Sequence, residues 1–404
     1  MRPIVSNTGS PTSPLASFLG KRLTENLGLV SDKHLKSTEE FANYITGDST
    51  EGRLVSLDVE NLFTSIPVDH VIRFLRDQSH GWGPSPPQDH NMPESPTYHF
   101  GMNSELFCDL VALCLRYNQF HVDGKYLCQI QGLFMGSSLS PPLAMAYMEY
   151  FEQVIYENSS IPHNIRPKAW RRFVDDCFII YQGSREDFIE FLSLLNDLDR
   201  YIKFTFEESR TRENSNLPHG VIEALPFLDL MVMRFKDPVT NTFSNKLAIY
   251  RKPCLKSSYI HSLSSQPTSI KRAVIRNMFL RAYRYCDSLF LESEEQRIYD
   301  DFGRLGYSKS FITKAKVSAR RGRDHEIKIR QGLAQPKPPR ERAKFQLSLP
   351  FHNATRGFGY RFAQRGVDVV FSNKTSIKSY VAKNERRPLD GGAYIIPCEQ
   401  ASCE

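Results

Sequence analysis

Trp170-Arg171-Arg172-Phe173-Val174-Asp175-Asp176-Cys177-Phe178-Ile179-Ile180-Tyr181 is two short apolar runs hinged on a pair of acids. Short runs of aromatic and β-branched residues read as strands. The segment therefore predicts a hairpin of Trp170–Val174 and Cys177–Tyr181 with both carboxylates at its turn. Aspartate is common in turns, so alone the pair is an ordinary polar connection. A second run changes that reading. Leu54-Val55-Ser56-Leu57-Asp58-Val59 is another short apolar strand that delivers an acid at its end. A carboxylate flanked by Leu and Val is costly unless something pairs it, and three gathered together repel one another. A divalent cation resolves both problems. Mg²⁺ takes oxygen ligands and keeps substrate phosphates in its shell. Two such ions about 4 Å apart stabilise the attacking and leaving oxygens of an in-line displacement at phosphorus. Asp58, Asp175 and Asp176 are the candidate metal ligands.

Outward from these strands, helical sequence runs from Pro14 to Leu27, and Pro67 opens a helix over Val68–Gln78. Residues 80–97, with five prolines, read as a surface loop. Ser104–Tyr117 has helical spacing with Leu106, Leu110, Leu113 and Tyr117 on one face. Asp123-Gly124 predicts a hairpin between Phe120–Val122 and Lys125–Gln131. Leu143–Ile155 and Glu186–Leu198 are predicted helices. Lys203–Glu208 alternates like an exposed strand, and Leu225–Arg234 with Lys246–Arg251 forms a predicted antiparallel pair. Ser269–Lys316 is helical and basic. Residues 314–344 carry eleven Lys/Arg against three Asp/Glu, with three prolines, and read as a linker or an arm facing nucleic acid. Val367–Phe371 and Ala393–Ile396 are strand-like. There is no internal repeat.

The 404 residues allow two or three domains, and 40% hydrophobic with 24% charged residues is ordinary for a globular chain. A net charge of +7 favours a polyanionic partner. The eight cysteines include no C-x-x-C pair, which fits a reducing compartment. No apolar run reaches the length of a membrane span, and residues 1–23 lack the pattern of a signal peptide, so an intracellular protein is expected.

Three further places bear on chemistry. Phe63 follows Asp58 closely; its ring could press on the sugar of a nucleotide and exclude a 2′-hydroxyl, or simply fill core. Gly136-Ser137-Ser138-Leu139-Ser140-Pro141 has small side chains that let a base pair or template approach. It equally suits a helix start capped by Ser140 with Pro141 at the first position. Lys271, Arg272, Arg276 and Arg281 could track a phosphate backbone or line a solvated helix face.

The order of these segments resembles the motif series of reverse transcriptases. Leu57-Asp58-Val59 with Phe63 resembles the motif of the first catalytic aspartate and sugar gate. Gly132-Leu133-Phe134-Met135-Gly136-Ser137-Ser138-Leu139-Ser140-Pro141 resembles the template-and-nucleotide motif. Phe173-Val174-Asp175-Asp176 resembles the Tyr-x-Asp-Asp box. Arg2-Pro3-Ile4-Val5-Ser6 resembles the fingers strand whose arginine contacts the triphosphate. More narrowly, Thr64-Ser65-Ile66-Pro67, Leu225-Pro226-Phe227-Leu228-Asp229, Tyr250-Arg251-Lys252-Pro253 and the helical stretch Tyr259–Ile312 are similar to Penelope-like retroelements.

The resemblance implies an α+β fold: a right-hand polymerase palm with antiparallel sheet and partial fingers (1–253), a helical thumb or helix-turn-helix-like region (254–316), a basic linker (317–344), a connector (345–390) with a short α/β C-terminal piece, and the start of a GIY-YIG endonuclease domain (391–404). It implies RNA-directed DNA synthesis on an RNA template and DNA primer from deoxynucleoside triphosphates, with two Mg²⁺ ions for which Mn²⁺ can substitute. Asp58, Asp175, Asp176 and the Val59 carbonyl would hold metal. Arg2, Phe63, Gly136 and Ser137 would meet the nucleotide, and Lys271, Arg272, Arg276 and Arg281 the nucleic acid. A nuclear location would follow; no membrane contact and no obligate protein partner are inferred. The fingers are expected to be truncated. Gly391–Cys398 resembles the first GIY-YIG strand, and Cys398 with Cys403 half of a zinc site, so neither endonuclease activity nor zinc is expected of these residues. The alternative is an inactive, truncated retroelement protein that still binds nucleic acid.

Overall fold

The hairpin at Asp175-Asp176 forms, and it joins a sheet whose central strand is the Leu54 run. The computed structural model describes residues 4–5, 10–28, 31–79, 102–122, 125–157, 161–211, 215, 217–252, 259–264, 266–336, 345–349, 355, 357–371 and 393–394. The chain divides into two units, Met1–Tyr250 with Asp390–Glu404, and Arg251–Leu389. The first runs β1 (Ile4–Val5), α1 (Ser13–Thr24), α2 (Thr38–Gly47), β2 (Arg53–Val59), α3 (Leu62–Ser65), α4 (Val68–Ser79), α5 (Ser104–Arg116), β3 (Gln119–Val122), β4 (Lys125–Cys128), α6 (Ser140–Glu157), β5 (Ala169–Phe173), β6 (Asp176–Tyr181), α7 (Arg185–Asp197), β7 (Phe204–Glu208), β8 (Arg210–Thr211), β9 (Val221–Phe227), β10 (Leu230–Lys236) and β11 (Phe243–Ile249). The second runs α8 (Thr268–Tyr285), α9 (Ser288–Arg304), α10 (Lys309–Arg330), β12 (Phe345–Leu349), α11 (Phe358–Ala363) and β13 (Val367–Phe371). Last, β14 (Ala393–Tyr394) pairs with β1.

The main sheet has the order β5-β6-β2-β7, all antiparallel. Side chains alternate between its faces. Val55, Leu57 and Val59 of β2, with Cys177, Ile179 and Tyr181 of β6, lie in one core with α1, α3, α4, α5 and α6. Leu54 and Ser56 of β2, with Phe178 and Ile180 of β6, occupy the opposite face. There Phe178 meets Phe41 of α2 at 5.0 Å and Phe227 of β9 at 5.4 Å. Through that aromatic cluster the second sheet, β11-β10-β9-β8, covers one end of this face. Glu223 of β9 adds polar links, accepting from the Leu54 N–H at 2.8 Å and from the Ser209 hydroxyl. The other end of the face carries Asp58 and Asp176.

Helix ends follow their capping residues. Ser37 accepts from the Glu40 N–H at the start of α2, and Ser184 with Asp187 forms a capping box on α7. In the second unit α8, α9 and α10 enclose Ile275, Phe279, Ala282, Ile298, Phe302, Ile312, Ala315 and Ala319. Beyond them β12 and β13 pair in parallel around α11.

Two expectations need correction, and α5 settles a point that its periodicity leaves open. On α5 the face that shares Leu106, Leu113 and Tyr117 is exposed. The buried face is Phe107, Cys108, Val111, Cys114 and Leu115, since the helix carries two interleaved apolar stripes and only one can face the core. Leu225–Arg234 is not one strand but the ends of β9 and β10, joined where Leu228 takes φ 56°. The linker expected from residue 317 begins later. Between Lys309 and Arg330 there is no proline, and residues of high helix propensity carry α10 on past the charge run until Gly332 and Pro336.

Candidate active site

Asp58 and Asp176 are direct cross-strand partners in the β2–β6 register, one residue beyond Leu57 and Cys177. Directly opposed residues on an antiparallel pair face the same side with Cβ atoms about 5 Å apart. Asp175 is the last residue of the turn, and its carbonyl accepts the Val59 N–H at 3.2 Å. Asp58 and Asp176 thus share one end of a sheet face, with Asp175 beside them in the turn; Asp58 is exposed, Asp175 and Asp176 half-buried. Val59 is buried on the opposite, core face. Among the described residues no group of three or more His, Cys, Asp or Glu is placed so that it could hold a metal ion. An all-oxygen set on two paired strands suits instead a hard cation that keeps phosphate and water ligands and needs only one or two carboxylates from protein.

The turn is unusual. Val174 has φ 58°, a left-handed conformation that is an outlier for a β-branched residue. The Arg172 guanidinium donates from Nη1 to the Val174 carbonyl at 3.0 Å. Arg172 is fully buried and pairs through Nε with Glu152 of α6 at 2.6 Å. Glu152 also accepts from Trp170 Nε1 at 3.2 Å and from the Ser31 hydroxyl at 2.6 Å. Motifs alone do not reveal this network. Each member stands among other charges of its own sign, Arg171 on β5 and Glu149 on α6, so the chain does not single the pair out.

His34 bridges to Arg172 through the backbone. Burial, then the Arg172 cation, hold its pKa down from 6.5 to about 4, with Glu40 opposing and Lys36 reinforcing. Between those values the unfolded chain binds a proton that the fold refuses. Stability is thus present above about 6.5 and lost as pH falls toward 4. Thermal unfolding at about pH 5 should occur below that at about pH 7, and His34→Gln should narrow the gap. An equal gap in the variant would exclude His34 as its source.

The small-residue loop is anchored from two sides. Leu133 N–H donates to the Phe63 carbonyl at 2.6 Å. Gly132 has φ 80°, and a Cβ there would meet Thr64 Cα and its carbonyl oxygen at 2.5 Å. On α1, a Cβ at Gly20 would meet the Ser138 carbonyl oxygen at 2.7 Å. Phe63 itself is half-buried and packs against the main core, leaving part of its ring accessible. Gly136 and Ser138 are exposed. Ser137 is not presented outward: it is buried, and its hydroxyl accepts the Leu139 N–H at 3.2 Å. Ser140 donates to the Phe134 carbonyl at 2.8 Å, fastening the loop to α6 rather than serving as a side-chain cap.

The basic residues expected on α8 do not form one outward stripe. Lys271 donates to the Ser262 and Ser264 carbonyls, both at 2.6 Å. Arg276 lies against Gly322 of α10, and Arg281 is half-buried. Arg272 is exposed and lies over the Phe311 ring. Their long stems and short local contacts fasten the helical unit together. α10 presents more exposed cations, among them Lys309, Lys314, Arg320, Arg321 and Lys328. Arg2, Cys398 and Cys403 lie outside the described residues. No helix among the described residues is long and apolar enough to cross a membrane.

Residues 258–316 match the family model of the animal helix-turn-helix domain. No curated protein sequence matches the chain significantly. Among solved structures, telomerase from Candida albicans in complex with a TWJ fragment of telomeric RNA is 11% identical, with a TM-score of 0.43 over 76% of this chain and 52% of that one. Apo telomerase from Candida tropicalis is 13% identical, TM-score 0.41, over 80% and 50%. The RNA polymerase complex inside a dsRNA virus is 13% identical, TM-score 0.40, over 74% and 25%. The chain thus spans about half the length of those telomerase chains. Likeness at this level is shared by unrelated chemistries, so what the site does turns on its own residues.

Proposed function

We propose that the chain is a template-directed nucleic-acid polymerase, and within that class an RNA-directed DNA polymerase of the Penelope-like kind. One observation carries this reading: Asp58 and Asp176 face each other across β2 and β6, with Asp175 in the adjoining turn. Bound there, two Mg²⁺ ions, or Mn²⁺ in their place, would supply charge stabilisation for displacement at the α-phosphate of a deoxynucleoside triphosphate. Asp58 and Asp175 would be the main ligands, helped by the Val59 carbonyl and by Asp176. Catalysis by this chain would then be positioning, with the primer 3′-hydroxyl held in line by strands that are themselves packed on a rigid core. Arg2 would neutralise the triphosphate. The loop at Gly136 would leave room for the base pair. The test is primer extension on an RNA template with Mg²⁺ and with Mn²⁺. No extension, with salt-sensitive duplex binding retained, would favour the inactive, nucleic-acid-binding alternative.

Phe63 is the proposed sugar gate. Its position fits, since it precedes the Thr64 backbone on which the Gly132 loop rests. Phe63→Val should lower discrimination against ribonucleotides by roughly tenfold or more, by analogy with the loss of one pocket-filling group. Unchanged ribonucleotide incorporation would assign the ring to packing alone.

The nucleic-acid face proposed for the helical unit moves from α8 to α10. Lys309–Arg330 carries eight Lys/Arg against two Asp/Glu. Replacing Lys314, Arg321 and Lys328 by glutamine should weaken duplex binding and reduce the slope of log affinity against log salt by roughly 2–3, about 0.9 for each phosphate no longer neutralised. The same triple change at Lys271, Arg276 and Arg281 should act on folding stability instead. An unaltered salt slope in the α10 variant would remove that helix from the interface.

A further inference from the structure

Arg172 is an expensive residue. Its side chain is completely buried, and its Nη2 has no hydrogen-bond partner among the described residues. A buried ion pair seldom stabilises a fold beyond what apolar residues of similar volume would achieve. The pair with Glu152 therefore has some other consequence, and the geometry indicates which. Arg172 lies opposite Cys177 in the hairpin register, on the core face of β5, while Asp176 lies on the opposite face of β6. Its backbone is fixed by bonds to Lys33 and Leu35, at 2.8 and 2.7 Å. Glu152 is fixed by Trp170 and Ser31 as well as by Arg172. From that immobile base Nη1 reaches one acceptor, the carbonyl of Val174. Val174 is the residue in the disfavoured left-handed conformation, and Asp175 and Asp176 follow it directly.

We propose that Arg172 is a positioning residue: braced by Glu152, it holds the Val174 turn in its left-handed conformation and so sets the direction of the Asp175 and Asp176 carboxylates. The consequence for catalysis rests on the reading of those carboxylates as metal ligands; the holding of the turn does not. Left-handed backbone is disfavoured for L-residues other than glycine, so without a brace the turn would relax toward other hairpin geometries. Displacing a reacting group by about 1 Å can lower a rate roughly a hundredfold.

The test uses the full chain with both partners replaced, Glu152→Met with Arg172→Met, so that no lone charge stays buried. Hydrogen exchange over residues 173–177 is expected to quicken at least about tenfold while the amides of Leu54–Leu57 keep their protection. Unchanged exchange at the turn in the folded variant overturns the proposal. Should the double variant fail to fold, Arg172→Lys carries the same readout. It keeps a cation for Glu152 but lacks the planar fork that bonds two acceptors at once.

In primer extension the double variant is expected to lose roughly ten- to a hundredfold in kcat with little change in nucleotide KM. Adding Val174→Gly should restore part of that loss, because glycine takes the left-handed turn without a brace. Faster exchange with unaltered kcat would refute the positioning role. Faster exchange in a chain whose wild type extends no primer would uphold the brace and sink the polymerase reading instead.

Discussion

Asp175→Ala is expected to slow primer extension by roughly 10²–10³-fold or more, with the fold intact. The magnitude follows from removing one preorganised electrostatic element from a displacement at phosphorus, where charge stabilisation dominates. The fold should survive because the backbone carbonyl of Asp175, not its side chain, bonds to Val59. Removing one of several clustered carboxylates also relieves repulsion, so thermal unfolding without metal should stay level or rise. Asp58→Ala should behave alike, since Asp58 is exposed at the strand end and contributes little to the core. The assay is extension of a labelled DNA primer on RNA, wild type beside variant, with Mg²⁺ and with Mn²⁺. Equal activity in both proteins would refute the site. Loss of activity with a collapsed unfolding temperature would show only that the protein had been damaged.

Gly132→Ala is expected to be strongly destabilising, its added Cβ meeting closer backbone than at any other described glycine of the first unit. Two penalties combine. The residue has φ 80°, which an L side chain resists by about 1–2 kcal/mol. The added Cβ would also press on the Cα, carbonyl carbon and carbonyl oxygen of Thr64 at 2.5–2.7 Å. Backbone atoms cannot swing aside as a side-chain tip can, and overpacking of this sort adds about 1–3 kcal/mol. Together the change should cost about 3 kcal/mol, lowering the unfolding temperature by several degrees in a unit this long. Because Thr64 adjoins Phe63, the same strain should loosen the proposed sugar gate. Ribonucleotide incorporation is expected to rise alongside the loss of stability. A variant that melts with the wild type would mean that the loop can separate from Thr64 at no cost, and that the two segments are not coupled.

Much of the first unit is legible in the chain. Leu54–Val59 and the Asp175-Asp176 hairpin announce themselves because each is a short apolar run broken by an acid, a pattern with few physical solutions. α7 is legible from Ser184 and its capping box. α5 is not, because apolar residues surround most of its circumference; periodicity says that it is a helix and leaves open which side is buried. The turn at Leu228-Asp229 hides for a related reason. Pro226 lies in the strand before it, and the left-handed residue is a leucine, so only Asp229 marks the turn. Charge misleads in the second unit. Lys271 and Arg276 read as solvent-facing by residue type, yet their long stems bring the cations onto nearby carbonyls and a facing helix. Arg172 and Glu152 are a further case. Beside Arg171 and Glu149 neither stands out, and only the fold shows that each is the other's buried partner.

The strand order β5-β6-β2-β7 has a consequence for how the molecule is made. β2 emerges early from the ribosome and contributes Asp58, yet both of its neighbours, β6 and β7, are encoded far downstream. Until Tyr181 has been synthesised, β2 has two unpaired edges, and one stays open until Glu208, a state that invites association with other chains. Pairings over such long stretches of sequence form slowly. The carboxylate pair therefore waits on β6, and no fragment that stops short of β6 can contain it.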